Sequence, residues 1–130
     1  MTTLTIKDET ALGDVLHETQ LHFETTSVTI ADIIKNRVTT EVTAYNQRQT
    51  AHFKGFVQPT AAEKILNGYR LKKPKPIDVE KQVYVALDAF QKNGFFILVD
   101  NLQADSLTQK VEIRPTTTVS FIKLTPLVGG

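Results

Sequence analysis

The chain has 130 residues, 41% hydrophobic and 22% charged, the composition of an ordinary globular domain able to bury roughly two-thirds of the surface its unfolded form exposes. The 15 basic and 14 acidic residues leave a net charge of +1, so no global field draws the protein toward nucleic acid or anionic lipid, and partners have to be recognised locally. There is no cysteine, which excludes disulfides and thiolate metal sites and agrees with a reducing compartment. Met1 to Asp8 has neither a basic leader nor an apolar h-region, and no stretch approaches the roughly 20 apolar residues of a membrane span. The expectation is a cytoplasmic protein with no membrane or nucleic-acid partner.

Thr3 to Asp8 alternates, with Leu4 and Ile6 on one face and Thr3, Thr5 and Lys7 on the other, the period-two pattern of a half-buried strand. A turn at Gly13 follows. Leu21 and Phe23, flanked by His22 and Glu24, repeat the alternation toward Val28, so the first two strands are expected to form a hairpin. Thr29 stands three residues before Asp32 in a capping-box arrangement, and Ile30, Ile33, Ile34, Val38, Val42 and Tyr45 recur at helical spacing. They predict a helix from about 30 to 47 whose polar face carries Lys35, Asn36, Arg37 and Glu41.

Residues 48–94 read as an irregular stretch, a short helix capped by Thr60 and Glu63 and closed by Gly68, a basic linker and a longer helix. The linker interleaves Arg70, Lys72, Lys73 and Lys75 with Pro74 and Pro76, which bars it from being helical. Asp78 is the expected N-cap of the longer helix, whose Val79, Val83, Leu87 and Phe90 share a face before Gly94 ends it. Phe95 to Val99 is a continuous apolar run, expected as a strand buried on both faces. Asp100-Asn101 turns the chain, Val111 to Arg114 is a short strand, Pro115 to Thr117 a turn, and Thr118 to Leu124 a final strand. In that strand Val119 and Phe121 share one parity and Ile122 and Leu124 the other.

A hairpin, one long helix, a buried strand, short strands and a last strand form the element order of the ubiquitin-like β-grasp fold. The end of the chain adds to this: Val119-Ser120-Phe121 followed by Pro126-Leu127-Val128-Gly129-Gly130 resembles the last strand and tail of the bacterial sulfur carriers, the molybdopterin synthase small subunit and the thiamine sulfur carrier. Val99-Asp100-Asn101 is similar to their strand end. The resemblance is best over 95–130, looser over 1–47 and absent over 48–94. Pro115 to Thr118 also replaces the acidic, Gly-Asp-containing turn common in those carriers. The expectation is therefore an α+β protein: a single β-grasp domain over 1–130, its mixed sheet packed on one long helix, with a helical insertion at about 48–94 and a flexible tail at 125–130.

The resemblance implies that the protein is not an enzyme but a carrier or modifier. A separate ubiquitin-activating-type enzyme adenylates the carboxylate of Gly130 using ATP, Gly129 passes a narrow channel because it lacks Cβ, and the product is thiocarboxylated or handed by a transfer enzyme to a target protein. No cofactor is bound by the chain itself. Leu127 and Val128, with Pro126 and Leu124, are the implied contacts for the activating enzyme. At about 7% glycine usage, two adjacent glycines fall at a given place in roughly 0.5% of chains, so the pair carries weight beside the element order. The alternative is a non-covalent protein-interaction module with an inert tail. His17, His22 and His52 lack metal-ligand spacing, and Glu18, Glu24 and Asp32 are too scattered for a carboxylate pair. The Arg70 to Lys75 cluster lacks interleaved aromatics and reads as a solvated linker.

Overall fold

The computed structural model describes residues 1–56 and 76–123, with the backbone alone for 49–56. Two sheets and two helices make an α+β architecture. Strand β1 (Thr2–Glu9) turns back as β2 (Val15–Phe23), β3 (Ser27–Thr29) leads into α1 (Ile30–Phe56), and α2 (Val79–Gln91) precedes β4 (Phe95–Val99), β5 (Leu102–Gln103), β6 (Lys110–Glu112) and β7 (Val119–Lys123). The larger sheet has the order β2-β1-β7-β4-β5, and β3 and β6 form a two-stranded sheet of their own.

The alternation in β1 does what its period demands. Leu4 and Ile6 are buried, opposite Leu21 and Thr19 of β2, while Thr3 faces out against His22. The hairpin closes where Gly13 takes φ +94°, a conformation that glycine adopts without Cβ strain. Its amide donates to the Thr10 carbonyl at 2.9 Å. A register shift between Asp8 and Glu9 bulges β2 at Leu16.

The second strand does not run on to Val28. It stops at Phe23, and after Glu24 to Thr26 a separate β3 pairs with β6, Val28 against Val111. The physical reason is the demand of the helix that follows. The amides of Ile30 and Ala31 donate to the carbonyls of Gln109 and Leu107 at 3.0 Å each, so the β6 side supplies acceptors to first-turn donors that a helix cannot satisfy internally. The expected capping box completes the end, with the Thr29 amide donating to Asp32 Oδ2 at 3.0 Å and the Asp32 amide to Thr29 Oγ1 at 3.1 Å.

Helix α1 buries Ile30, Ile33 and Ile34 under the sheet and continues past Gln47 to Phe56. Beyond the apolar stripe, the side chain of Asn46 reaches the chain just before α2. Asn46 Oδ1 accepts from the Ile77 amide at 2.8 Å and Asn46 Nδ2 donates to the Ile77 carbonyl at 3.0 Å, fixing the residue before the N-cap. Asp78 then caps α2, accepting from the Lys81 amide. The predicted short helix at 60–68 and the basic linker 70–75 lie outside the described residues.

The end of α2 departs from the sequence reading by one residue. Asn93, at φ +61°, is the left-handed residue, with its amide bonded to the Phe90 carbonyl and that of Gly94 to the Ala89 carbonyl, the paired bonds of a Schellman end. Gly94 serves in a different way: a Cβ there would lie 3.2 Å from the Ala89 oxygen, closer than an ordinary van der Waals contact. Phe90 then packs tilted against Phe95, and Phe95 stacks on Phe121, with centroids 5.8 and 5.7 Å apart.

In β4, Phe95 and Ile97 are buried, whereas Phe96, Leu98 and Val99 are only half-buried. The expectation of burial on both faces is corrected: one face carries the buried Phe95 and Ile97, and Phe96 and Leu98 on the other are only half-buried. Asp100 and Asn101 both have positive φ, the requirement of a two-residue type I′ hairpin, and Asp100 is anchored by reciprocal bonds with the Thr118 backbone. Strand β7 closes the sheet, antiparallel to β4 and parallel to β1, with Val119 opposite both Val99 and Ile6.

Because Asn46 pairs with both backbone groups of Ile77, Asn46→Ala is expected to destabilise the protein by about 1–3 kcal/mol, measured by urea denaturation.

Candidate functional site

The residues that the sequence singled out, Leu124, Pro126, Leu127, Val128, Gly129 and Gly130, lie outside the described residues. The last described position, Lys123, ends the central strand β7, and the structure shows in detail what surrounds it. Strand β7 is flanked there by Asp8 and Glu9 of β1 on one side and by Phe95 and Phe96 of β4 on the other. Val119 and Phe121 are buried in the core; on the opposite face Ser120 is buried and Ile122 half-buried, and Leu124, expected to share that face, lies outside the described residues.

On the helix side of this strand end sits a charged cluster that the sequence placed wrongly. Arg37 was expected on the polar face of α1, yet it is only 8% exposed. Its NH1 and NH2 donate to Asp8 Oδ1 and Oδ2 at 2.5 Å, and its Nε donates to Glu41 Oε1 at 2.8 Å. The guanidinium carbon lies 4.6 Å from the centroid of the Phe121 ring. Arg37 thus joins β1, α1 and β7 through a bidentate ion pair and a cation–π contact, the geometry for which a planar guanidinium is suited. Burial by itself pulls the Arg37 pKa down, but the hydrogen bonds and charges of Asp8 and Glu41 more than reverse this, and the net displacement is upward.

The reason for the correction is spacing. Arg37 follows Ile33 and Ile34 by four and three residues, so it continues their buried stripe, and Glu41 continues it one turn further. Read that way, the i,i+4 pair was visible in the sequence; its third member, Asp8, was not. Beside the cluster, Ile34, Val38, Ala86, Phe95 and Phe121 line a cavity of about 100 Å³ that also reaches Lys123. The strand end therefore sits between an apolar hollow and a neutralised arginine.

The remaining candidates are dispersed. His22 is exposed, as expected, and meets Thr3 Oγ1 at 3.2 Å; no group of three or more metal-ligating side chains exists among the described residues. Asp32 is engaged in the helix cap, and Glu18 and Glu24 are exposed. A more polar cleft of about 500 Å³ lies between the end of α2, β4 and the loop carrying Asp105 and Ser106. His17 stands opposite Asp8 in the β1–β2 ladder, but among the described residues no histidine is hydrogen-bonded to a serine or a carboxylate as an activating base would be. No described helix is long and apolar enough to cross a membrane. Comparison with known proteins returned no match to a family model, to a curated protein or to a solved structure.

The arginine cluster generates a graded set of expectations. Asp8→Ala leaves a buried guanidinium with only the half-exposed Glu41, and is expected to cost about 3–5 kcal/mol, whereas Glu41→Ala costs about 0–1 kcal/mol. The double variant Asp8→Leu with Arg37→Met removes both charges and recovers most of the single-variant loss. Chemical denaturation of the four proteins checks the order.

Proposed function

We propose that the chain is a ubiquitin-like, β-grasp carrier or modifier whose Gly130 carboxylate is the reactive group. The observation that carries this reading is the strand order β2-β1-β7-β4-β5, with β7 parallel to β1 and antiparallel to β4. An N-terminal hairpin, a helix packed on one face, and a last strand inserted at the centre is the β-grasp plan. In such a plan the final strand is held by ladders on both sides, so whatever follows it is presented from a rigid base. The Pro126-Leu127-Val128-Gly129-Gly130 sequence follows that base.

The chemistry assigned to the chain needs little from its folded part. One carboxylate oxygen of Gly130 attacks the α-phosphorus of ATP in a separate activating enzyme, the bond to pyrophosphate breaks, and an acyl-adenylate forms. A sulfur donor or a thiol of the partner then displaces AMP at the carbonyl carbon, giving a thiocarboxylate or a thioester, and the latter passes to an amine of a target protein. Gly129 serves because a residue without Cβ takes extended conformations in a channel that would exclude a side chain. Leu127 and Val128, with Pro126 and Leu124, supply apolar contact to the activating enzyme. ATP belongs to that enzyme, not to this chain.

A second reading, a non-covalent interaction module, is favoured by one feature of the described surface. Leu12, Val15 and Leu16, at the β1–β2 hairpin, are 92%, 52% and 70% exposed, an apolar cluster at a protruding tip.

Intact-mass measurement separates the two. Protein isolated from its native cells is expected to carry Gly130 as its last residue with a free carboxylate, a thiocarboxylate or a target lysine. With its activating enzyme and ATP the carboxylate form is expected to gain the mass of AMP. Gly129→Val is expected to slow adenylate formation by about tenfold or more, the effect of about 1.4 kcal/mol of steric conflict in the channel. Cells in which loss of Gly129 and Gly130 changes nothing would leave the interaction module as the function.

A further inference from the structure

Helix α2 has two faces, and the core uses one of them. Ala86, Leu87 and Phe90 pack into the buried cluster or against it. On the opposite side of the helix, Lys81, Tyr84, Val85 and Asp88 recur at three- and four-residue spacing and fall within about 100° of arc. Tyr84 is 70% and Val85 51% exposed. Two adjacent apolar side chains therefore stand at the centre of this outer stripe, with a cation almost one turn before them and an anion almost one turn after.

The charges at the two ends are open to a partner. Lys81 is exposed and has no ion-pair partner among the described residues. Lys92 Nζ donates to Asp88 Oδ2 at 2.9 Å, which leaves Oδ1 for a second cation.

The stripe is its own complement when a second copy lies antiparallel to it. A two-fold contact pairs residue i with residue j and j with i. With the axis between Tyr84 and Val85, Tyr84 of each copy meets Val85 of the other, and Lys81 of each meets Asp88 of the other. Both pairings share one midpoint in the sequence, so a single axis satisfies both. A parallel pairing in register would set Lys81 on Lys81 and Asp88 on Asp88, and the repulsion of like charges opposes it.

We infer that the outer face of α2 joins two copies of this chain in an antiparallel, two-fold dimer, with Tyr84 and Val85 at its apolar centre and two Lys81–Asp88 pairs at its ends. A helix of 13 residues is about 20 Å long, so the contact falls in the small class below about 1,200 Å² and the dimer is a transient one. It uses the side of α2 turned away from the core, so the fold does not require it. It is also independent of any chemistry at Gly130.

The test uses the full chain. Between about 20 µM and 1 mM, the range of a weak association, sedimentation equilibrium is expected to show the average mass rising toward twice that of the monomer. Over the same range, amide NMR shifts are expected to move at Lys81, Tyr84, Val85 and Asp88. Lys81→Glu and Asp88→Lys each place like charges across the axis and are expected to weaken association about tenfold, with Tyr84→Ala about fivefold weaker. Combining Lys81→Glu with Asp88→Lys exchanges the two charges and is expected to restore association to within about threefold of the original, which a parallel pairing would not allow. All four positions lie on the outer face, so circular dichroism is expected to show unchanged helix content; the shifts of the unaltered chain decide the contact should a variant unfold. Constant mass up to about 1 mM, concentration-dependent shifts confined to surfaces other than α2, undiminished association of Lys81→Glu, or a double variant no stronger than the single ones would each overturn the proposal.

Discussion

The parallel pairing of β1 with β7 is the contact on which the rest of the protein depends. It brings Ile6 beside Val119 and Asp8 beside Phe121, joining the two ends of the described chain. Without it there would be an N-terminal hairpin on one side and a β4–β5 hairpin on the other, each too small to exclude water from one face. With it, Leu4, Ile6, Val119, Phe121 and Ile97 become one surface, and Ile30, Ile33 and Ile34 of α1 have something continuous to cover. Closing so long a loop has to precede the contacts it enables, so the entropy is lost before most of the burial is gained. The pairing is therefore stable only in company with the helix that packs across it.

Arg37 marks the place where strand pairing and helix packing meet. The bidentate pair with Asp8 holds α1 to β1 at the end of the sheet, while the ring of Phe121 extends the same contact to β7. A buried charge of this kind is weak evidence for stability, since an apolar trio could fill the space as well. Its value lies in direction: the guanidinium fork fits its carboxylate in one geometry, and so fixes the rotation of α1 over the strand from whose end the chain departs. A rigid base at Lys123 suits the proposed carrier, in which the folded part presents a reactive end to another enzyme. The two edges of the sheet differ: β5 is only two residues long, whereas β2 is bulged at Leu16 and its His22 carbonyl accepts from Asn36.

Local chemistry was the legible part of the sequence. The Thr29–Asp32 capping box, the Asp78 N-cap, the Gly13 turn, the Asp100-Asn101 hairpin and the alternation in β1 all act through neighbours within a few residues, and each is found where the residues put it. The errors were of another kind. Val28 reads as the continuation of β2 because its period fits, yet it belongs to β3, whose partner β6 is more than eighty positions away. Gly94 was read as ending α2, yet the left-handed residue there is Asn93, and Gly94 instead meets the Ala89 carbonyl closely. Arg37 was assigned to solvent because charge outweighed spacing, when the carboxylate that neutralises it lay in β1.

The sequence by itself therefore determined the hairpin, the starts and N-terminal caps of both helices, the turns at Gly13 and Asp100-Asn101, the α+β class and the alternation in β1, since these follow from hydrophobic period and from hydrogen bonds between near neighbours. Tertiary structure alone decided that the last strand enters between β1 and β4, that β3 leaves the main sheet to pair with β6, and that Asp8, Arg37, Glu41 and Phe121 form one cluster. Those choices depend on pairings between residues far apart in the chain, where many registers satisfy the same alternation and only simultaneous packing of helix and sheet selects among them.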